Sequence, residues 1–289
     1  MARIAHLSDL HFGAHDADIV SATEAWLQER RPDLIIISGD FTQRARVSQF
    51  MQAGAYLDRL RAAGLAVLTI PGNHDIPLYD VFRRFSAPLR RYRRHISNDL
   101  CPYFENDEVA VLGINTARSL TLKDGRINER QMRLIRERLA DVAAGKTRVL
   151  VTHHPLLSVP IRGKGEWSEA VGRSRDAVKV VSAAGVHIAL AGHFHQTYAE
   201  AARKMVKDAG STLIVQAGTA TSTRLRNAEP QSFNWLHIRK NDAIELQVVV
   251  WDGGEFRRFS HVDYSFDGEN WACRDIIDQP DACQTASER

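Results

Sequence analysis

Seven side chains able to bind a metal stand just past the ends of five apolar runs. They are Asp9 and His11 in Ser8-Asp9-Leu10-His11, Asp40 in Ser38-Gly39-Asp40, and Asn73 in Gly72-Asn73-His74-Asp75. His153 in Thr152-His153-His154-Pro155 and the pair His193 and His195 in Gly192-His193-Phe194-His195 complete the set. Carboxylate, imidazole and amide donors without thiolate suit a pair of Mn, Fe or Zn ions. Two such ions side by side form a device for cleaving phosphoric esters. At a strand end alternate residues point the same way, so Asp9 and His11 can address one ion. Asp40 follows a glycine, which permits a tight exit, and a lone carboxylate there can bridge two cations. Asn73 offers a neutral oxygen after the turn pair Pro71-Gly72, and His193 and His195 can divide between the two ions. Each motif alone reads as a helix cap, a turn former or a satisfied loop histidine. Five of them at strand exits read as one composite site.

The intervening sequence supplies the elements that must bring these residues together. Ile4-Ala5-His6-Leu7, Leu34-Ile35-Ile36-Ile37 and Leu65 to Ile70 are apolar runs of strand length. Further strands are expected over Val109 to Ile114, Arg148 to Thr152 and Val186 to Ala191. Helical spacing covers about Asp18 to Arg30, Val47 to Ala63, Asn128 to Ala144 and Ser174 to Ala184, with Gly64 a helix-ending residue. After His195 the pattern changes to consecutive strands: Thr212 to Gln216, Phe233 to Arg239, Ala243 to Trp251 and Phe256 to Tyr264. Asn241-Asp242 and Gly253-Gly254 mark hairpin turns between the last three. A strand meander after an alternating β/α half implies a four-layered α-β-β-α sandwich of two mixed sheets. In an open α/β sheet ligands bind outside the carboxyl ends of the strands, where the seven residues fall.

The 289 residues fit one domain, expected over residues 1–264, with a polar tail over 265–289. A net charge of +3 makes no demand for nucleic acid, and no run reaches the length of a membrane span. Three cysteines, Cys101, Cys273 and Cys283, are too few and scattered for a disulfide framework. The first strand begins at about residue 3, so no signal peptide is expected, and a cytoplasmic protein is the reading.

The ordered set D-x-H, G-D, G-N-H-D, H and G-H-x-H, running from Asp9 to His195, resembles the calcineurin-like metallophosphoesterases. The resemblance implies a first ion held by Asp9, His11, Asp40 and His195. It implies a second held by Asp40, Asn73, His153 and His193, with His74 at the scissile phosphate. A histidine beside such a site is the usual proton donor near neutral pH. Asp75 is expected to orient His74, and His154 to be a neighbouring or substrate-facing residue. The implied reaction is attack by a metal-activated water on a phosphodiester, with His74 assisting the leaving group. Size and the His153-His154-Pro155 arrangement look most like the bacterial cyclic-nucleotide phosphodiesterase and glycerophosphodiesterase branch. A phosphomonoesterase or nucleotidase, a DNA nuclease and a metal-stabilised scaffold are the alternatives.

Other features are less specific. Arg83-Arg84 and Arg90-Arg91-Tyr92-Arg93-Arg94 read as the solvated face of an amphipathic helix backed by Phe82, Phe85, Leu89 and Tyr92, with an anion-attracting rim as the alternative. Arg44, Asn115-Thr116 and Arg118 are candidate substrate contacts, and the loop from Ser158 to Arg173 is expected to border the cleft. The meander after Phe233 can supply a contact in a homo-oligomer.

Overall fold

The computed structural model describes residues 1–163, 165–206, 209–226, 229–239 and 243–277. The first half runs β1 (Ala2–Leu7), α1 (Ala17–Arg30), β2 (Leu34–Ile37), α2 (Val47–Ala62), β3 (Val67–Thr69), α3 (Val81–Ser86) and α4 (Arg90–His95). Next come β4 (Tyr103–Glu105), β5 (Val109–Ile114), α5 (Glu129–Ala140), β6 (Thr147–Thr152), β7 (Pro160–Ile161), β8 (Glu166–Trp167), α6 (Ser174–Ala183) and β9 (Ile188–Ala191). The chain continues through β10 (Tyr198–Ala201), α7 (Ala202–Met205), β11 (Leu213–Gln216), β12 (Ser232–Arg239), β13 (Ala243–Trp251), β14 (Phe256–Phe266) and β15 (Trp271–Ile277). Local chemistry sets several boundaries. The Asp16 carboxylate accepts from the amides of Asp18 and Ile19 (2.9 and 3.2 Å) and starts α1. Asn128 and Gln131 cap each other reciprocally at the start of α5.

Two large sheets result. One has the order β15-β14-β13-β12-β1-β2-β3, with β1, β2 and β3 parallel and the rest antiparallel. The other has the order β10-β11-β9-β6-β5-β4, with its four central strands parallel. Successive residues of a strand face opposite sides, and both sides are apolar here. Ile4, Leu34, Ile36, Val109, Val111, Val149 and Val151 therefore pack between the sheets. Their neighbours Ala5, Ile35 and Ile37 pack outward against α1 and α2, whereas Ala110, Leu112 and Leu150 pack against α5 and α6. This is the four-layered α-β-β-α sandwich, and it brings the carboxyl ends of β1, β2, β3, β6 and β9 to a common edge.

Two expectations need correction. Residues after Tyr264 do not all form a tail: β14 extends to Phe266, and β15 pairs with it as an edge strand with Trp271 buried. The arginine-rich segment is not one amphipathic helix, because Pro88 lacks the amide a continuing helix needs and two short helices flank it. Leu89 and Tyr92 are buried as expected, but Phe82 and Phe85 are exposed and Arg84 is buried instead. The expected turn at Asn241-Asp242 lies outside the described residues; the Gly253-Gly254 turn is present, with Gly253 at φ 103°.

Candidate metal centre

Strand exits aim the site residues through an unusual backbone. Asp9, His11, Asp40, His193 and His195 have φ of 55°, 49°, 54°, 79° and 56°. A side chain in this left-handed region is disfavoured by about 1–2 kcal/mol, so the surroundings must hold each one. Parallel-sheet bonding continues past the strand ends to do this. The Asp9 amide donates to Gly39 O (3.1 Å), the His11 amide to Asp40 O (2.9 Å) and the Gly192 amide to His153 O (3.0 Å). Thr219 Oγ1 and Thr221 Oγ1 donate to the carbonyls of Asp9 and Leu10 (2.7 and 2.8 Å). Two glycines are required by close approach. A Cβ on Gly39, itself at φ 101°, would come within 2.6 Å of His153 Nδ1, and one on Gly72 would collide with the Asp40 carboxylate.

The side chains converge. His195 Nε2 is 3.1 Å from Asp9 Oδ1 and 3.0 Å from His11 Nε2, and His11 Nε2 is 3.7 Å from Asp40 Oδ2. His153 Nε2 is 3.4 Å from Asp40 Oδ2 and 3.1 Å from Asn73 Oδ1, and His193 packs against the His153 ring at 5.1 Å. Asp9 and Asp40 are almost wholly buried. Burial works to raise both carboxyls, but the facing imidazoles outweigh it and hold both well below the usual range: His195 acts first on Asp9, His153 first on Asp40.

Donor chemistry shows what the cluster fits. The Nδ1–H groups of His153 and His195 donate to the carbonyls of Ser38 (2.7 Å) and Arg224 (3.2 Å). Each ring therefore turns its Nε2 toward carboxylate or amide oxygen, an arrangement that a positive species at Nε2, a proton or a metal ion, satisfies. Burial works to lower His153, yet Asp40 overcomes it and draws the imidazole up to about 9. The same pull attracts a cation. Asp9 Oδ1 is buried without a hydrogen-bond partner, a deficit of about 1–3 kcal/mol that a metal bond removes. Asp9 with His11 and His195, and Asp9 with Asp40 and His153, each place donor atoms within 4.8 Å of one another. The residues present fit a binuclear metal site.

His74 and its neighbours lie on the same edge. Its backbone amide donates to Asp40 Oδ1 (2.8 Å), its Nδ1 pairs with Gln43 O (2.8 Å), and its ring stands edge-on to His11 at 4.9 Å. The Gln43 carbonyl thus steadies the imidazole where Asp75 was expected to. Asp75 instead accepts from the amides of Phe41, Thr42 and Gly72 and from Thr42 Oγ1 (3.0–3.3 Å), tying the β2 exit to the β3 exit. Burial and the charge of Asp40 push Asp75 up to about 7. His154 Nε2 pairs with Lys123 O and its Nδ1 with Thr116 Oγ1, both at 2.7 Å, so both nitrogens are committed within the protein. Its ring packs 4.8 Å from His153 and 4.6 Å from His193, a brace between the two.

The other candidates divide. Thr116 reaches the site only through His154, and Arg118 is spent on the carbonyls of Asn115 and Ala117 (2.9 and 2.8 Å). Arg44 lies over the Tyr79 ring at 5.2 Å. The 158–173 loop, folded as the β7–β8 hairpin, is fastened to Gln196, next to His195 (2.6 Å from Gln196 Nε2 to Pro160 O). Sequence reasoning missed Ser38, Gln43, Lys123 and Arg224, which act through backbone carbonyls that no side-chain identity reveals. It also missed a grouping of Glu245, His261 and Asp263 on the meander, whose members are already joined by bonds such as His261 Nε2 to Asp263 Oδ1 (3.1 Å).

Buried carboxylates ringed by imidazoles thus stand together at one edge of an α-β-β-α sandwich. The chain belongs to the calcineurin-like phosphoesterase family, whose model matches residues 2–197. Among curated proteins it is similar to the glycerophosphodiester phosphodiesterase GpdQ of Enterobacter lignolyticus (strain SCF1), 27% identical over 166 residues. That match covers 53% of this chain and 57% of the relative, so the chain spans little more than half the relative's length. The fold is shared with the purple acid phosphatase PPD1 of yellow lupin (TM-score 0.68, 15% identity, 89% of this chain and 52% of that one). It is shared also with a dimetal phosphatase from Danio rerio (TM-score 0.59, 12% identity, 85% and 95%). Among the described residues no helix is long and apolar enough to cross a membrane.

Proposed function

We propose that this chain is a two-metal phosphodiesterase acting on a small diester, a cyclic nucleotide or a glycerophosphodiester. The observation that carries the reading is the convergence of imidazole Nε2 atoms on two buried carboxylates, Asp9 and Asp40. Asp9, His11, Asp40 and His195 would hold one ion; Asp40, Asn73, His153 and His193 would hold the other. Bound there, divalent cations supply Lewis acidity toward the phosphoryl oxygens and a nucleophile available near neutral pH.

The protein's own residues do the rest. Ser38 O and Arg224 O fix the tautomers of His153 and His195, so their Nε2 atoms are available as donors to metal. Gln43 O occupies His74 Nδ1 and leaves Nε2 as the atom that can deliver a proton to the departing alkoxide. His154 and Asp75 position their neighbours and touch no reacting atom. The similarity to a glycerophosphodiester phosphodiesterase favours a diester over a monoester.

The test is hydrolysis of bis(p-nitrophenyl) phosphate and p-nitrophenyl phosphate by protein loaded with Mn, Fe or Zn, followed by cyclic nucleotides and glycerophosphodiesters. Faster turnover of the diester is expected. A preference for the monoester would make the protein a phosphatase, rapid loss of DNA would make it a nuclease, and inertness with every metal would end the enzymatic reading.

A further inference from the structure

Fourteen large hydrophobic side chains are exposed among the described residues, and half of them belong to segments 78–85 and 120–122. Leu78, Val81, Phe82, Phe85, Leu120 and Leu122 stand out, with Phe82 at 84% and Leu120 at 88% exposure. One buried side chain joins the two segments. The Arg84 guanidinium donates to Pro77 O (3.0 Å), Ser119 O (2.8 Å) and Thr121 O (2.5 Å). The apolar face is therefore built and held, not frayed.

The same stretch of chain is strongly cationic. Residues 78–94 carry six arginines against one acid, Asp80, a net +5, whereas the whole chain carries only +3. The rest of the molecule is thus slightly negative, and its excess of cations is gathered here. Arg84 is the strut, Arg91 donates to Ala45 O (2.6 Å) and Arg83 pairs with Asp80 (3.0 Å). Arg90 and Arg94 are exposed and have no ion pair among the described residues.

Exposed Phe, Leu and Val side chains followed closely in the chain by exposed, unpaired arginines match the boundary of an anionic bilayer, where rings and aliphatics enter the acyl edge and guanidinium groups meet phosphate. A second copy of the chain fits less well, since a two-fold contact would bring two +5 segments together. We propose that this face docks the protein onto an anionic phospholipid surface. The face borders the metal centre: Arg44 donates to Tyr79 Oη (2.8 Å), and its neighbour Gln43 holds His74. Docking would set the mouth of the site beside the headgroup layer. The inference does not rest on which ester is cleaved.

Flotation of the full chain with phosphatidylcholine vesicles, with and without phosphatidylglycerol, tests it. Binding is expected only to the phosphatidylglycerol vesicles and should weaken as salt rises. Arg90→Glu and Arg94→Glu should each weaken partition about fivefold or more. The Phe82→Ser, Phe85→Ser double variant should lose most of the binding while hydrolysing bis(p-nitrophenyl) phosphate at the wild-type rate. Equal binding to neutral vesicles, or none to anionic ones, would overturn the proposal. So would a wild-type dimer that the double variant turns into a monomer, which would make the face an interface between copies.

Discussion

At their carboxyl ends β1, β2 and β9 run into five non-glycine residues with left-handed backbone, two buried carboxylates and an orphaned carboxylate oxygen. At their amino ends the polar groups beside these strands are paired within the protein. Asp33 accepts from the Arg3 amide (2.7 Å), Thr212 donates to Val186 O (2.9 Å), and His187 Nδ1 accepts from the Arg148 amide (2.9 Å). One interior serves both ends, so hydrophobic burial does not distinguish them. The difference lies in where strain and unpaired charge are tolerated. The carboxyl edge concentrates both, as a site built to bind a cation requires, and the rest of the sandwich over-determines its geometry.

Substitutions at the two edges should break activity and stability separately. Asp40→Ala carries the largest effect: turnover should fall by about 10³-fold or more, and dialysed protein assayed by plasma emission should lose both metals. His74→Ala should keep its metal and lose about 10²–10³-fold in kcat. The loss should grow with the pKa of the leaving alcohol across a series of aryl diesters, and a flat series would remove His74 as the proton donor.

At the opposite edge acid should act on stability alone. Burial, aided by the Arg148 charge, pushes His187 down to about 4. The unfolded imidazole takes its proton near 6.5, so between these values the unfolded chain binds more protons than the folded one. The stability is complete above about pH 6.5 and is lost as pH falls toward 4, by about 2–3 kcal/mol. Denaturant melts of wild type and His187→Gln in chelator should show the variant with the flatter pH profile. Arg31→Gly carries the smallest effect. Arg31 ends α1 with φ 47°, far from the metal edge, and glycine there should raise stability by about 0.5–1 kcal/mol without altering kcat.

Much of this was legible in the residues. The apolar runs of β1, β2, β5 and β6 announced themselves, because strands covered on both faces have no polar alternation to confuse. The D-x-H, G-D, G-N-H-D and G-H-x-H groups were legible because metal chemistry admits few donor types and strand exits place them at fixed positions. The arginine-rich segment misled, since helical spacing alone cannot tell which of Phe82 or Arg84 is turned inward once Pro88 breaks the helix. β15 was hidden by its mixed composition, which pairing with an existing edge strand makes acceptable.

Donor identity, strand order along the chain and the layered class were thus written in the primary structure, for each depends on side-chain chemistry and local periodicity. Only the folded molecule decided which nitrogen of His153 and of His195 faces the buried carboxylates, that Gln43 and not Asp75 steadies His74, and that His154 is a brace. Those choices are made by backbone carbonyls of distant loops. A carbonyl is the same group in every residue, so nothing in the order of side chains can show where it will point.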